Sequence, residues 1–240
     1  MSEKEYVLQE IESEDELEQF LRLRYEVFFN SDAEMFISEN DQQIDLNYYD
    51  HRSHHYGLYH SFDGVKKRIG YFRIVVDKRT MADQWVANIS RRVGLRHLAG
   101  FRPRSTLPCF NAYPDANLEE KFYSRKEIFG NVGEASRLMI ATNERSLKLS
   151  LQLLKMALAI GVMYVEHAFV GCFQEHSKAY SRLGFEQMSG TSLFQIDLPN
   201  MQKKGMIMYC RTKDLSNDMK RSLRRIQVQF VKDKVLRFSA

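Results

Sequence analysis

The sequence predicts an α/β fold in which helices flank a mixed central sheet, and three observations predict it. Two β-like runs, 56–61 and 68–76, enclose Asp63 and Gly64, a dipeptide typical of an antiparallel hairpin. A strand–helix–strand order over 132–169 predicts a parallel pair with a right-handed crossover. No repeat or Pro/Gly/Ser-rich linker divides the chain, so we expect one folding unit.

The first two elements are a strand over 5–11 and a helix that begins after Ser13. Glu16 follows Ser13 at the spacing of a capping box. Helical spacing then places several residues on one face: Leu17, Phe20, Leu21, Arg24 and Phe28. We expect this face to pack on the sheet.

The stretch after the hairpin is less regular. A helix is predicted over 81–91, after which four residues interrupt any periodic pattern: Gly100, Pro103, Pro108 and Pro114. We interpret 77–127 as an elaborated connection within one domain.

From residue 132 onward the pattern sharpens. We predict a strand over 132–141, a helix over 146–160 that stops at Gly161, and a strand over 162–169. A helix over 174–183, which stops at Gly184, precedes a strand near Phe185, strands over 192–198 and 206–211, and a basic helix over 215–229. This order gives a domain over 1–212 and a C-terminal basic helical extension over 213–240.

Composition narrows the class of protein. The 240 residues are 44% hydrophobic, which excludes a collagenous, low-complexity or largely disordered chain. The three cysteines are far apart and show no CxxC spacing, so we expect neither a disulfide framework nor a zinc ribbon. The acidic N-terminus lacks an apolar stretch, and the longest apolar segment, 149–165, is interrupted by polar residues. We therefore expect a cytoplasmic protein.

Charge is distributed unevenly along the chain. Residues 1–50 carry 3 basic and 15 acidic side chains, whereas residues 201–240 carry 11 basic and 3 acidic ones. The basic tail favours an acidic partner: nucleic acid, an anionic membrane surface, a phosphorylated cofactor or an acidic protein. Solvated surface charge explains the same pattern equally well.

Polar residues recur where the pattern expects a buried face, and these positions are the candidate site. They are Arg24 in the first helix, Arg73 in a β run, and Glu134, Ser136 and Arg137 in another. A buried charge is costly unless it is paired. We expect Asp45 and Asp50, in the loop before the hairpin, to pair with the arginines.

Two interpretations of the segment 134–137 follow from strand geometry. Glu134 and Ser136 share one face of a strand, while Arg137 points to the other face or is redirected by a bulge. A carboxylate beside a hydroxyl could act as a general base on an amine or an alcohol. The alternative is an ion-pair network that orders the loop around Asp45.

Four segments together resemble a known family. They are Arg24-Tyr-Glu-Val-Phe28, Asp45 with Asp50, Gly70-Tyr-Phe-Arg73 and Glu134-Ala-Ser136-Arg137. Their order resembles the autoinducer-synthase branch of the GNAT fold: acyl-homoserine-lactone synthases, N-acyl amino acid synthases and exosortase-associated acyltransferases. The resemblance covers residues 5–200, and the run 179–185 resembles the helix-to-strand corner common in GNAT proteins.

This resemblance implies a GNAT-like mixed sheet and acyl transfer from a thioester to the α-amine of an amino acid. It implies Glu134 and Ser136 as catalytic residues and an acceptor pocket made by Arg24, Phe28, Asp45, Asp50, Arg73 and Arg137. Backbone amides near Met139, Ile140 and Ala141 would stabilise the oxyanion, and Tyr180 would lie on the donor side. It implies no metal and no tightly bound cofactor; the donor is acyl carrier protein or acyl-CoA.

Departures from the family pattern refine these expectations. Residues 141–146 contain no glycine where CoA-dependent enzymes carry a pyrophosphate loop, which favours a carrier-protein donor. Met35 and Phe36 stand where lactone synthases usually have tryptophan, and the connection between Arg73 and Glu134 is long. We therefore expect an N-acyl amino acid synthase-like enzyme. The alternatives are a lactone synthase that uses S-adenosylmethionine and a non-catalytic acyl- or carrier-binding module.

Surface residues suggest partners and sites of lower specificity. Candidates for docking acidic acyl carrier protein are Lys148, Lys155, Lys178, Lys220, Arg221, Arg224 and Arg225. A membrane-leaning basic helix explains the tail equally well, so peripheral membrane contact stays open. We interpret His51, His54, His55 and His60 as loop or pocket residues and not as metal ligands. The aromatics over 101–113 are expected to cover an acyl chain and not to bind nucleic acid.

Overall fold

One mixed sheet organises the computed structural model, which describes residues 4–31, 34–103, 105–112, 119–120, 132–198 and 201–240. Within those ranges the sheet has nine strands, in the spatial order β6-β8-β5-β4-β3-β2-β1-β9, with β7 also paired to β8. The strands are β1 (Glu5–Glu10), β2 (Ser53–Phe62), β3 (Val65–Val76), β4 (Val132–Ile140), β5 (His167–Phe173), β6 (Glu186–Gln187), β7 (Phe194–Leu198), β8 (Met201–Arg211) and β9 (Val235–Ser239).

Helices cover both faces of this sheet. They are α1 (Glu14–Phe29), α2 (Ala82–Arg92), α3 (Arg96–Gly100), α4 (Leu147–Gly161), α5 (Ser177–Arg182) and α6 (Asn217–Asp233). Short 3-10 turns lie at Glu34–Phe36, Tyr48–Arg52, Pro108–Ala112, Gln174–His176 and Thr212–Asp214. In the part of the chain described, no helix has the length and apolar character needed to cross a bilayer.

Helix α1 begins where the sequence predicts, with half of the predicted capping box. The Ser13 hydroxyl accepts the N–H of Glu16. The Glu16 carboxylate accepts the Tyr59 hydroxyl and not the N–H of Ser13. The described Ser13–Glu16 pair therefore lacks the second hydrogen bond of a capping box. The ring of Phe20 then packs so close to β2 that a Cβ at Gly57 would lie 2.4 Å from it. Glycine at this position lets the helix approach the sheet.

The predicted hairpin is confirmed as β2 and β3, which are longer than expected. Asp63 and Gly64 form the two-residue turn, and both have positive φ, 48° and 78°. This is the twist that a tight antiparallel hairpin requires.

The predicted parallel unit is confirmed as β4-α4-β5, but the expected strand over 162–169 is wrong at its start. β5 begins at His167. The amides of Val162, Tyr164 and Val165 still donate to carbonyls at the end of α4, so the chain is turning over these residues. An apolar run marks burial, and it does not separate a turn from a strand.

The C-terminal part adds a strand that the sequence reasoning missed. The basic helix is present as α6, and the chain then continues into β9, which pairs antiparallel with β1. The predicted helix over 174–183 is a 3-10 turn followed by the short α5. Of the connection 77–127, Arg104 and residues 113–118 and 121–127 lie outside the described residues.

Apolar packing divides into two layers, one on each face of the sheet. On one face α4 and α6 cover a large cluster that includes Tyr56, Phe72, Leu153 and Phe230. On the other face α1 and α2 cover a second cluster, and the 3-10 turn Pro108–Ala112 covers a third around Phe169. The candidate site lies on this second face, at the middle of β4.

Candidate active site

A wedge opens between the two central parallel strands. Within the described residues, β4 pairs with β5 only from Val132 to Glu134, opposite His167 to Phe169. Beyond that point β5 stays with β8 as far as Phe173, whereas β4 stays with β3 as far as Ile140. The strands therefore diverge, and backbone groups of β4 face a gap and not a neighbouring strand.

A β-bulge lies in β4 just beyond Glu134. It is one of the two alternatives that the sequence offers for the direction of the Arg137 side chain. Arg137 and Leu138 together stand opposite Phe72, and Arg137 adopts a positive φ of 57°. The bulge turns the Arg137 side chain toward Asp45, with Nε 2.9 Å from Oδ2.

Arg24 is the centre of a buried ion-pair network. Its side chain is fully buried, and its Nε donates to Asp45 Oδ2 at 2.8 Å. Its Nη1 and Nη2 donate to the two carboxylate oxygens of Asp50 at 2.8 and 3.0 Å. This fork-to-carboxylate geometry satisfies both groups, so the expected pairing of Arg24 with the two aspartates is confirmed.

Arg73 joins the same network from β3. It donates to Asp50 Oδ1 at 2.5 Å, to Asn47 Oδ1 at 3.0 Å and to Ser136 Oγ at 3.0 Å. The Asp50 carboxylate also accepts the N–H of Asn47, which caps the turn Tyr48–Arg52. Burial alone would raise the pKa of Asp50, but Arg24 and Arg73 hold that pKa well below its usual range.

His55 completes the network as a neutral group. Its Nε2 donates to the carbonyl of Asp50 at 3.1 Å, so its Nδ1 accepts the Tyr71 hydroxyl at 2.6 Å. Tyr71 in turn accepts an N–H of Arg24 at 3.0 Å. Burial lowers the pKa of His55 to about 3, which keeps the ring neutral near pH 7.

Aromatic rings border the network on the wedge side. The Arg137 guanidinium lies over the ring of Phe28, 5.3 Å from its centroid, and also donates to the carbonyl of Phe36. The ring of Phe36 lies 6.2 Å from that of Phe173 at the end of β5. This rim links α1, the turn Glu34–Phe36, the bulge and β5.

Glu134 is buried in different surroundings. Glu134 is paired with Val75 on β3 and with Phe169 on β5, and only 4% of its surface is exposed. Its Oε2 accepts the N–H of Cys109 at 2.7 Å. Burial raises the pKa of Glu134 to about 7, although the Cys109 amide and thiol favour the charged form. A carboxyl group that titrates near neutrality can accept a proton from a reacting group.

Hydrogen bonds connect residues 105–111, which lie over Glu134, to Tyr49 in the turn that contains Asp50. The Tyr49 hydroxyl donates to the carbonyl of Ser105 at 3.0 Å and accepts the side-chain N–H of Asn111 at 2.5 Å. The ring of Phe110 packs edge-on against Phe169, with the centroids 5.0 Å apart.

Comparison with known proteins identifies the fold. No family profile matches the sequence, and no curated protein matches it. The solved structure of the CoA-dependent acyl-homoserine lactone synthase BjaI with SAM and isopentyl-CoA superposes with a TM-score of 0.52 at 16% identity, covering 92% of this chain and 90% of that chain. The AHL synthase LasI gives a TM-score of 0.50 at 13% identity, covering 88% and 91%. This chain has the GNAT-like fold of those synthases.

In this GNAT-like sheet the predicted acceptor residues converge. Arg24, Asp45, Asp50, Arg73 and Arg137 form one network, and Phe28 packs on Arg137. Register explains part of this, because His55, Arg73 and Ser136 stand side by side on adjacent strands and share one face. The Ser136 hydroxyl accepts an N–H of Arg73. Within the part of the chain that the structure describes, it forms no hydrogen bond with the Glu134 carboxylate.

The predicted oxyanion residues need one correction. The N–H of Ala141 already donates to the carbonyl of Ile69 at 2.7 Å. Because successive amides of a strand point to opposite sides, the N–H of Met139 also points toward β3 and that of Ile140 points to the wedge. Only the Ile140 amide of this trio faces the gap.

Tyr180 lies near the wedge, at the GNAT-like corner that the sequence predicts. Its ring meets that of Phe185 edge-on at 5.8 Å, and Gly184 between them has a positive φ of 89°. Burial raises the pKa of Tyr180, so its hydroxyl stays protonated at neutral pH.

Sequence reasoning gave no role in this site to four residues, Asn47, Tyr49, Tyr71 and Cys109, and it assigned His55 no more than a place in the loop or pocket. Strand alternation could have found Tyr71, which shares a face of β3 with Arg73. His55 stands beside Arg73 only through the register of the hairpin, which a bulge shifts between Leu58 and Tyr59. No pattern indicates Cys109, which reaches Glu134 across an irregular stretch. Among the residues described, no group of three or more His, Cys, Asp or Glu side chains has a geometry suited to a metal ion.

Proposed function

We propose that this chain is an N-acyltransferase that moves a fatty acyl group from acyl carrier protein, or from acyl-CoA, to the α-amine of an amino acid. The observation that carries the proposal is Glu134, a buried carboxyl beside the wedge whose pKa is raised by burial to about 7. The GNAT-like fold alone does not define a function, so the proposal depends on the residues of the site.

The reaction needs a base and a place for the thioester. Glu134 takes a proton from the ammonium form of the acceptor, directly or through water, and the free amine attacks the thioester carbon. A C–N bond forms, the C–S bond breaks, and the leaving thiolate takes up the proton that the nitrogen loses as it becomes an amide. The Ile140 amide faces the gap where the carbonyl oxygen would become negative, and Tyr180, whose ring packs on Phe185, would border the donor.

The acceptor proposal rests on charge. Three arginines, Arg24, Arg73 and Arg137, meet two aspartates, Asp45 and Asp50, while His55 is neutral. The network therefore carries one excess positive charge, next to the aromatic rim. An amino acid carboxylate would neutralise this charge while its α-amine points toward Glu134.

The donor proposal rests on the turn before α4. This turn contains no glycine, and it includes Glu144, whose carboxylate is held by Lys4 and Lys67 at 3.2 and 3.4 Å. A carboxylate in this turn does not favour a pyrophosphate, which supports a carrier protein whose prosthetic group has a single phosphate. Acyl-CoA is the donor to compare with it.

A lactone synthase is the second candidate, because BjaI and LasI have the same fold. The two reactions differ in the acceptor. An amino acid gives an N-acyl amino acid, whereas S-adenosylmethionine is consumed to give a lactone.

The test compares lipid extracts of bacteria that express the wild type, Glu134→Gln or Glu166→Gln. Glu166 is exposed and its carbonyl accepts the N–H of Thr212, so the Glu166→Gln variant serves as the control. We expect N-acyl amino acids from the wild type and the control, and none from Glu134→Gln. Lactones formed at the expense of S-adenosylmethionine would favour the second candidate. Acyl-carrier binding without turnover by the purified wild type would overturn the proposal in favour of a binding module.

A further inference from the structure

Residues 105–112, here called the cover segment, close the side of Glu134 that faces away from the sheet. The N–H of Cys109 bonds to the Glu134 carboxylate, and the Cys109 thiol lies beside it. Leu107 and Phe110 are buried against Phe169 in one apolar cluster. The cover segment therefore excludes water from Glu134, and this burial is the main cause of its raised pKa.

The cover segment is not part of the sheet and needs an anchor. Tyr49 supplies two hydrogen bonds, one to Ser105 near the start of the segment and one from Asn111 near its end. The two bonded residues are six positions apart in the sequence, and Cys109 lies between them. One hydroxyl thus fixes both ends of the stretch that contacts Glu134.

Tyr49 is itself held rigidly. It is the neighbour of Asp50, whose carboxylate binds two arginines, and its own N–H donates to the Asn47 side chain at 3.1 Å. The Arg73 guanidinium lies 6.0 Å from the centroid of its ring. The two hydrogen bonds of the Tyr49 hydroxyl, here called the clasp, therefore connect the acceptor network to the cover segment over Glu134.

We propose that Tyr49 is a positioning residue, which clasps the cover segment onto the sheet and so keeps the Glu134 carboxylate dry and oriented. The proposal rests on the proposed function for the role of Glu134 in turnover, but the clasp itself is testable without activity. Titratable or charged groups around Glu134 are Cys109, Tyr49, Arg73, Arg137 and Tyr180. Burial keeps the pKa values of the Cys109 thiol and the Tyr49 and Tyr180 phenols above their ordinary values, so these three groups stay protonated where Glu134 titrates.

The activity test uses Tyr49→Phe, which removes the hydroxyl and keeps the ring. Without the clasp, water returns to Glu134 and its pKa falls toward 4.5, the ordinary value. We expect the acid limb of the pH profile of kcat/KM to move down by about one pH unit, with kcat lower by about three- to tenfold on the plateau because the base is weaker and less well oriented. A rate loss without movement of the acid limb would overturn the proposal.

The structural test follows the thiol of Cys109 with an alkylating reagent and peptide mass spectrometry. Cys109 and Cys210 are both buried, so Cys210 serves as the internal reference. We expect Tyr49→Phe to raise the labelling rate of Cys109 by about fivefold or more and to leave that of Cys210 unchanged. Equal rates for Cys109 in both proteins, or an equal rise at Cys210, would overturn the clasp even if the chain has no acyltransferase activity.

Two further variants sharpen the result. Tyr48→Phe is the matched control, because Tyr48 contacts Tyr49 and His51 only through its ring, and we expect wild-type labelling and activity. Asn111→Ala removes one bond of the clasp and leaves the bond to Ser105. We expect an effect between those of the wild type and Tyr49→Phe, and an effect larger than that of Tyr49→Phe would contradict the assigned role of the hydroxyl.

Discussion

Two buried regions on the same face of the sheet treat charge in opposite ways. Around Arg24, each carboxylate meets at least one guanidinium, and the Asp50 carboxylate accepts from Arg24, Arg73 and the Asn47 amide. Around Glu134, the carboxylate accepts hydrogen bonds from the amide and thiol of Cys109, and among the described residues no guanidinium forms an ion pair with it. In the first region the charged groups are paired with one another, whereas in the second burial raises the pKa of a carboxyl group that forms no ion pair among the described residues.

The difference is visible in the direction of each pKa. Burial favours the neutral form of both carboxyl groups. At Asp50 the two arginines reverse that effect and hold the pKa well below its usual range, whereas at Glu134 burial outweighs the opposing effects of Cys109, Arg73 and Arg137 and the pKa rises to about 7. Fixed charges can orient a substrate, and a carboxyl that titrates near neutrality can move a proton.

The largest expected effect comes from breaking the paired region with Asp50→Asn. Two buried guanidinium groups lose their shared counter-charge, so the free energy of unfolding should fall by about 3–5 kcal/mol. The folded pKa of Asp50 is depressed, so its contribution is present above the unfolded value near 3.8 and is lost as pH falls below it. Urea denaturation at pH 7 measures the effect. The control Asp83→Asn, at a half-exposed ion pair, should cost about 1 kcal/mol or less.

Glu134→Gln tests the second region, where stability should change in the opposite direction. The folded pKa is raised, so the carboxyl group favours folding below about pH 4.5 and opposes it as pH rises through 7. A neutral isostere should therefore raise the free energy of unfolding at pH 8 by roughly 1–3 kcal/mol while turnover falls by about 100-fold or more. Denaturation at pH 8 and pH 4 measures the first effect; a variant less stable than the wild type at pH 8 would argue that Glu134 is a paired structural charge.

Arg137→Gln examines the border between the two regions. Its side chain is 16% exposed and pairs with Asp45 at the mouth of the wedge. If its charge binds the acceptor carboxylate, KM for the acceptor should rise by about tenfold, equivalent to about 1.4 kcal/mol, with kcat nearly unchanged. Steady-state kinetics with the amino acid varied measures this, and a change confined to kcat would place Arg137 in the chemical step instead.

The smallest effect is expected outside both regions, on the exposed face of α6. Reversing the charge of Arg224 and Arg225 should weaken use of acyl carrier protein by about two- to fivefold at low salt and less at high salt, because exposed charges are screened. Varying the carrier concentration at two salt concentrations measures it. An unchanged apparent affinity at low salt would remove α6 from carrier docking.

The sequence carries more information about the paired region than about Glu134's surroundings. Arginines within apolar patterns predict buried partners, and Asp45 and Asp50 lie in the loop that leads into the hairpin, so the network could be predicted. The bulge at Arg137 could also be predicted, because regular alternation would point this charged side chain to the face opposite Glu134 and Ser136. Both inferences use local periodicity, which a sequence displays directly.

The cover segment could not be predicted because its contacts are tertiary and its backbone is irregular. Neither periodicity nor spacing connects Cys109 with Glu134, or Tyr49 with Ser105. β9 was missed for a related reason: it follows a helix directly and gains its partner from β1 at the other end of the chain. Pairing across such a distance is set by packing and not by propensity.

Direct titration of Glu134 tests the central claim, that this carboxyl is buried with no ion pair among the described residues and so can act as a base. Carbon-13 labelling of glutamate side chains, with Glu134→Gln to assign the signal, reports its ionisation by NMR in the protein without substrate. A midpoint of about 7 is the predicted result. A midpoint at or below 4.5, the ordinary value for glutamate, would show a stabilised carboxylate like Asp50 and would contradict the account.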